Sequence, residues 1–246
     1  MKALLRLLGL LLLAALALQL YFVARIALMA VLNPESTAFQ RSEAYLVATK
    51  TGSLKWRQQW VPYAEVSDNL KRAVIASEDA SFIEHEGLDM EALEKAWEKN
   101  AKAEQRAAQS TSRWAPGKAA AKPAKIIGGS TITQQLAKNL FLSGERTLLR
   151  KGQELLLTLL LEALLDKQRI LEIYLNSVEW GEGVFGAEAA AQHYYRKSAS
   201  RLSAYEAARL AVMLPRPKYF ETRPGSGYLA SRAGTIAARM GGVELP

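Results

Sequence analysis

The 246-residue chain has no cysteine and only two histidines. Without cysteine there is no disulfide framework, no thiolate metal site and no cysteine nucleophile, and the redox compartment stays open. His85 and His193 fit no metal-binding spacing, so no metal residue is assigned. No zinc-finger or basic-aromatic signature accompanies the net charge of +8, which argues against nucleic acid. No serine is followed three positions later by lysine. Lys50-Thr51-Gly52 and Ser67-Asp68-Asn69, which imitate two motifs of serine penicillin-binding enzymes in the wrong chain order, are therefore coincidences, and no transpeptidase or β-lactamase site is expected.

Acidic residues are also missing from the first 34 positions. Lys2 and Arg6 precede the run Leu7 to Ala24, whose one polar side chain is Gln19, and apolar sequence resumes after Arg25 up to Asn33-Pro34. That is long enough to cross a hydrocarbon core of ~30 Å as a helix of about 20 residues. Ala15-Leu16-Ala17 would suit a cleaved signal peptide, but the apolar stretch continues well past it, which favours an uncleaved anchor. Positive charge at the start keeps the N-terminus in the cytoplasm and sends the rest outside. Setting Lys2, Arg6 and Arg25 aside from the 32 basic residues leaves 29 against 24 acidic ones, a net +5. Beside a membrane anchor, that excess suggests anionic headgroups or an anionic lipid-linked substrate. The expected division is an anchor over 1–34 and one mainly helical domain over 35–246.

Within 35–66 the aromatic, alternating LKWRQQWVPY reads as a short strand or hairpin after a KTGS turn. From Ser67 the spacing of Leu70, Ala73, Val74 and Ser77 is helical and brings Glu78 to the last turn. A further helix starts near Asp89 and dissolves into 100–125, whose Ala-, Lys-, Gln- and Pro-rich composition predicts a mobile loop. Thr131 and Gln134 form a capping box for a helix to about Leu142. Residues 147–165 hold LLLTLLLEALL, too short to span a bilayer, and read as the central core helix. Asp166 caps the next helix, WGEGVFG reads as a glycine-rich loop, and Ser203 with Glu206 is another capping box for a helix stopped by Pro215 and Pro217.

SEDASFIEHEG, Ser77 to Gly87, sets four carboxylates, a phenylalanine and a histidine at a buried helix end. Glu84 and Glu86 read as solvated acids. Glu78 follows an apolar run and precedes Phe82 at i+4, a setting in which desolvation raises proton affinity and suits a general base or acid. His85 reads as a loop anchor. A second group, Lys138, Arg146, Arg150, Lys151 and Glu154, places cations and a carboxylate on one helix face at i, i+4 and i+3 spacing. Spacing alone allows a surface salt-bridge ladder, whereas clustered Arg and Lys at the charged end of an apolar helix suit a diphosphate.

EDASFIEHEG, GGSTITQQLAKNLF, RKGQE, ILEIYLN and WGEGVFGAEAAAQHYY occur in that order between about Val61 and Met213. Together they resemble the glycosyltransferase domain of peptidoglycan polymerases. The anchor in front, the absence of transpeptidase motifs or further sequence behind, LAKNLFLSGER and the ending ARMGGVELP are similar to its monofunctional Gram-negative subgroup. The resemblance implies a mainly α, lysozyme-like fold with a small flexible membrane-proximal lobe. It implies that Glu78 deprotonates the acceptor's 4-hydroxyl, that Asp79, Phe82 and His85 shape that pocket, and that Ser130, Gln135 and Lys138 contact substrate. Glu154 matches the second acid, Arg146 and Lys151 match cations near the donor diphosphate, and Arg150 assists them. The implied substrates are lipid II and an undecaprenyl-diphosphate-linked glycan chain, at the periplasmic face of a bacterial inner membrane. No cofactor is required, although a divalent cation, Mg or Mn, could share the diphosphate; partners in division or peptidoglycan synthesis are compatible. The longer 100–125 segment departs from the family pattern. A lytic muramidase on a similar scaffold, or a membrane-tethered cell-wall scaffold without turnover, are the competing readings.

Overall fold

The structure is a computed structural model that describes residues 1–112, 129–142, 144–145 and 147–246, the side chains of 107–112 excepted. It is mainly α with little sheet, in agreement with the expected class. Helix α1 (Lys2–Leu28) is, among the described residues, the one helix long and apolar enough to cross a bilayer, with a mean hydropathy of 2.4. Most of its leucines are exposed, but its last turns are not free: Phe22, Ile26 and Met29 are buried, and Phe22 meets Phe141 edge-on at 5.3 Å.

The 35–66 segment differs from expectation. Helix α2 (Ala38–Thr51) opens on a reciprocal capping box between Thr37 and Gln40 and closes on Gly52 in the left-handed conformation. Gln40, Ala44 and Val47 are buried at helical spacing, so caps at both ends override the strand preference of Tyr45, Val47 and Thr49. Strand β1 is only Arg57–Gln58. WGEGVFG, expected as a loop, is a hairpin of β2 (Glu179–Gly181) and β3 (Val184–Phe185), and β1 pairs in parallel with β3 to complete a three-stranded sheet. Gly183 makes this possible: its φ is +72°, and a Cβ there would stand 2.5 Å from the Lys55 carbonyl oxygen.

Helix α3 (Asp68–Glu78) starts on Ser67, whose hydroxyl accepts the Asn69 amide, so the Ser-Asp-Asn triplet is a helix cap. Helix α4 (Met90–Ser112) runs through the first part of the expected 100–125 loop. Alanine, glutamate, lysine and glutamine are strong helix formers, and the Glu91–Lys95 and Glu98–Lys102 pairs sit at i,i+4. The remainder of that expected loop lies outside the described residues. Helix α5 (Ile132–Phe141) begins at the expected Thr131–Gln134 capping box.

Helix α6 (Leu148–Leu164) is not the central core helix. It buries Glu154, Leu157, Thr158 and Leu161, while Leu148, Leu149, Leu155, Leu156, Leu159 and Leu164 are exposed. An all-round leucine pattern is equally suited to a protein interior and to lipid, and so does not distinguish them. The central position belongs to α7 (Lys167–Ser177), capped as expected by Asp166 and buried from Ile173 through Ser177. Its Asn176 forms reciprocal hydrogen bonds of 2.9 Å with the backbone of Val61, pinning the chain before α3. Helices α8 (Ala187–Tyr195), α9 (Ala204–Met213), α10 (Pro217–Glu221) and α11 (Gly227–Arg239) complete the core. The Ser203–Glu206 box opens α9, and Pro217 sits in the first turn of α10.

Candidate active site

Glu78 ends α3 half-buried. Its Oε2 accepts from Gln135 Nε2 at 3.1 Å and its Oε1 from Ser77 Oγ at 3.3 Å. Behind it, the hydroxyl of buried Tyr174 donates to Gln135 Oε1 at 3.0 Å, which fixes the amide so that its N–H faces the carboxylate. Burial pushes the Glu78 carboxyl above its ordinary value, Gln135 and Ser77 oppose that, Asp79 adds to it and Arg232 opposes it.

Asp79 is buried and fully engaged. Its Oδ1 lies 2.8 Å from His85 Nε2, and its Oδ2 accepts the Ile132 amide, at the start of α5, at 2.9 Å. His85 Nδ1 accepts the Gly87 N–H at 3.1 Å, so the network assigns the ring proton to Nε2. Gly87 has φ +83°, and a Cβ would stand 2.7 Å from Thr158 Cγ2, while its carbonyl accepts the Thr131 hydroxyl at 2.7 Å. The histidine motif is thereby bolted to α5 and α6. Phe82 is fully buried under Lys167, whose ammonium lies 4.7 Å from the ring centroid. Glu84 and Glu86 are exposed, as read from sequence.

Glu78 opens on a cleft of about 500 Å³ between α3, α4 and α11. Arg232, Arg239, Lys95 and Lys99 line it. Sequence reading missed these four; the i, i+7 spacing of the two arginines, which puts them on one face of α11, was the available signal. It also missed Tyr174, although the residue stands inside the ILEIYLN motif.

Ser130, exposed just before α5, lines this cleft and also a second one of about 470 Å³. The second cleft is lined by α2, α5 and α6, with Gln135, Lys138, Arg150, Lys151 and Glu154 among its walls. Glu154 is 3% exposed. Arg150 Nη1 reaches its Oε2 at 2.7 Å and Lys151 Nζ holds its Oε1. Arg150 Nε is buried with no hydrogen-bond partner. Lys138 is exposed within the cleft and, among the described residues, makes no ion pair; burial of its ammonium still pulls it below the ordinary lysine value, with Glu154 opposing and Arg150 and Lys151 reinforcing. Arg146 lies outside the described residues, and α6 begins after it, so the expected ladder from Arg146 through Arg150 to Glu154 is described only from Arg150 onward.

Asp79, His85 and Asp89 bring ligand atoms within 4.8 Å of one another. Those atoms are already committed: Asp79 to His85 and Ile132, Asp89 to Ser81 and the Ala92 amide. In the second cleft both Glu154 oxygens are held by cations. That donor set suits an anion and does not fit a resident metal.

The sequence profile of the family described as Transglycosylase matches residues 45–113 and 114–241. The chain is 56% identical to a biosynthetic peptidoglycan transglycosylase of Burkholderia thailandensis over 95% of its length and 84% of the relative's. It is 54% identical to proteins of the same description from Burkholderia pseudomallei and Burkholderia orbicola, over 95% of the chain and 84% and 87% of theirs.

Proposed function

Since this chain belongs to the transglycosylase family, we propose that its two clefts hold the acceptor and the donor of glycan polymerisation. The protein is a peptidoglycan glycosyltransferase. Lipid II is the acceptor at Glu78, and the lipid-linked growing strand is the donor at Lys138, Arg150 and Lys151. The observation that carries this is the pairing, across Ser130, of a desolvated carboxylate with a cluster of cations that includes, among the described residues, a lysine without an ion pair and a buried guanidinium N–H without a partner.

Glu78 takes the proton from the acceptor's 4-hydroxyl as that oxygen attacks the donor's anomeric carbon. The bond from that carbon to the diphosphate breaks, and its electron pair leaves with undecaprenyl diphosphate. Lys138, Lys151 and Arg150 stabilise the departing charge, with Arg150 Nε supplying a donor that the protein leaves unused. Glu154 holds Arg150 and Lys151 in place. An α-linked diphosphate becoming a β-1,4 bond is an inversion, with no covalent glycosyl-enzyme. A divalent cation enters, if at all, as the diphosphate's own counterion.

The apolar helix α1 anchors the protein in a membrane. The basic start of α1 directs the catalytic domain to the periplasmic side of the inner membrane, and the exposed leucines of α6 rest in its outer leaflet. The test is incubation of the full chain with labelled lipid II, products resolved by length, beside Glu78→Gln. Long strands from the wild type alone are expected. Cleavage of preformed glycan in place of polymerisation would transfer Glu78 to the muramidase role, and neither activity would leave a scaffold.

A further inference from the structure

The lone polar residue of the apolar run in α1 has a partner. Gln19 Nε2 donates to Gln153 Oε1 at 3.1 Å, and Gln153 Nε2 returns a hydrogen bond to Gln19 Oε1 at 3.3 Å. Gln19 stands well inside the helix, about 13 Å before its end at 1.5 Å per residue. Where α1 lies on α6 the two amides are part-buried, and a reciprocal pair is the arrangement in which each amide satisfies the other. Gln153 is also the neighbour of Glu154. On one turn of α6, successive residues point about 100° apart, so this helix offers Gln153 to the membrane helix and Glu154, with Arg150 and Lys151, to the second cleft. Two further contacts hold α1 on the neighbouring helices: Phe22 against Phe141 at the end of α5, and Arg169 Nε of α7 to the Met29 carbonyl at 2.7 Å. The placement of α1 against the helices that carry the second cleft is therefore fixed at three points.

We infer that Gln19 is a positioning residue for the reaction: the Gln19–Gln153 pair sets the register of α6 against the bilayer span and so places the Arg150–Lys151–Glu154 clamp at the height of the lipid-linked diphosphate. The inference rests on the glycosyltransferase reading above. It makes the membrane helix part of the donor site, where a tether would need no polar residue in its span.

The test uses the full chain in phospholipid nanodiscs. Gln19→Leu and Gln153→Leu are each expected to raise KM for the lipid-linked donor about tenfold while changing kcat less than threefold. The double variant is expected to be no worse than either single, since both remove one interaction. A variant that merely misfolds would lower the active fraction and leave KM unchanged. Because the chain has no cysteine, Gln19→Cys with Gln153→Cys gives one thiol pair. Bridging it within the monomer by a short bis-alkylating reagent is expected, and is expected to restore KM to within twofold of wild type. Wild-type KM in both leucine variants overturns the positioning role, and failure to bridge in an active protein overturns the contact itself. A wild type that does not polymerise overturns the functional reading and this inference with it, whatever the bridging result.

Discussion

The two clefts that meet at Ser130 are finished to different degrees. On the Glu78 side Glu78, Asp79 and His85 all have protein partners: Tyr174 orients Gln135, Gln135 meets Glu78, and His85 and the start of α5 share Asp79. On the other side, among the described residues, Lys138 stands without an ion pair and Arg150 keeps a buried N–H unsatisfied. The contrast matches the two tasks proposed for them. A base must be held at one pKa and one angle before substrate arrives, whereas a clamp for a charged leaving group must keep donors in reserve for it.

The largest effect that would sharpen this contrast is Glu78→Gln, expected to slow polymerisation by about 10²–10⁴-fold while lipid II binding stays within twofold. Retained turnover in the labelled lipid II assay would remove the base from the finished side. Next is Lys138→Ala on the open side, expected to raise KM for the lipid-linked donor by about 10–100-fold, the value of a hydrogen bond to a charged group; saturation curves that match wild type would make this lysine structural. Gln135→Leu tests the finished side more gently. Glu78 acts deprotonated, so rate falls as pH drops through its raised pKa. Losing the amide that lowers this pKa moves the acidic limb of kcat/KM to higher pH, with a loss of about fivefold on that limb for a bond of about 1 kcal/mol. An unmoved limb would cut Gln135 out of the network.

The smallest effect lies behind the wall of the second cleft, where Lys218 joins Glu179 to Glu43. Buried Glu179 is pushed up to about 7 by burial, with Lys218 opposing through a contact of 3.3 Å and Glu43 adding to the rise. A carboxyl whose folded pKa exceeds its unfolded one binds more protons in the folded state. Stability therefore falls as pH rises from about 4.5 to about 7. Glu179→Gln is expected to raise Tm by about 2–4 °C at pH 8 and to leave it unchanged at pH 4; equal shifts at both would assign the effect to packing.

Much of the core was legible because its signals are local. Ser67, Thr131, Asp166 and Ser203 announce their helices through caps whose chemistry is complete within three residues. Glu78 was legible through its apolar neighbours. What stayed hidden depends on contacts distant in sequence. The hairpin at 179–185 needs Lys55 to close over Gly183, and the exposure of α6 depends on which of its leucine faces meets a neighbour. Arg232 and Arg239 reach the Glu78 cleft only through the return of α11 across α3, long after the motifs have ended.

Arg169 also binds the Leu32 carbonyl at 3.0 Å and Asn33 Oδ1 at 2.8 Å, so one side chain of α7 closes the C-terminal end of α1. That side chain lies 140 positions from Met29 in sequence. At synthesis rates of about 5–20 residues per second, the span emerges roughly 7–28 s before the group that completes it. The C-terminal end of α1 is thus completed only after α7 has been made, and a nascent chain that stops short of α7 leaves the Met29 and Leu32 carbonyls without their Arg169 donors.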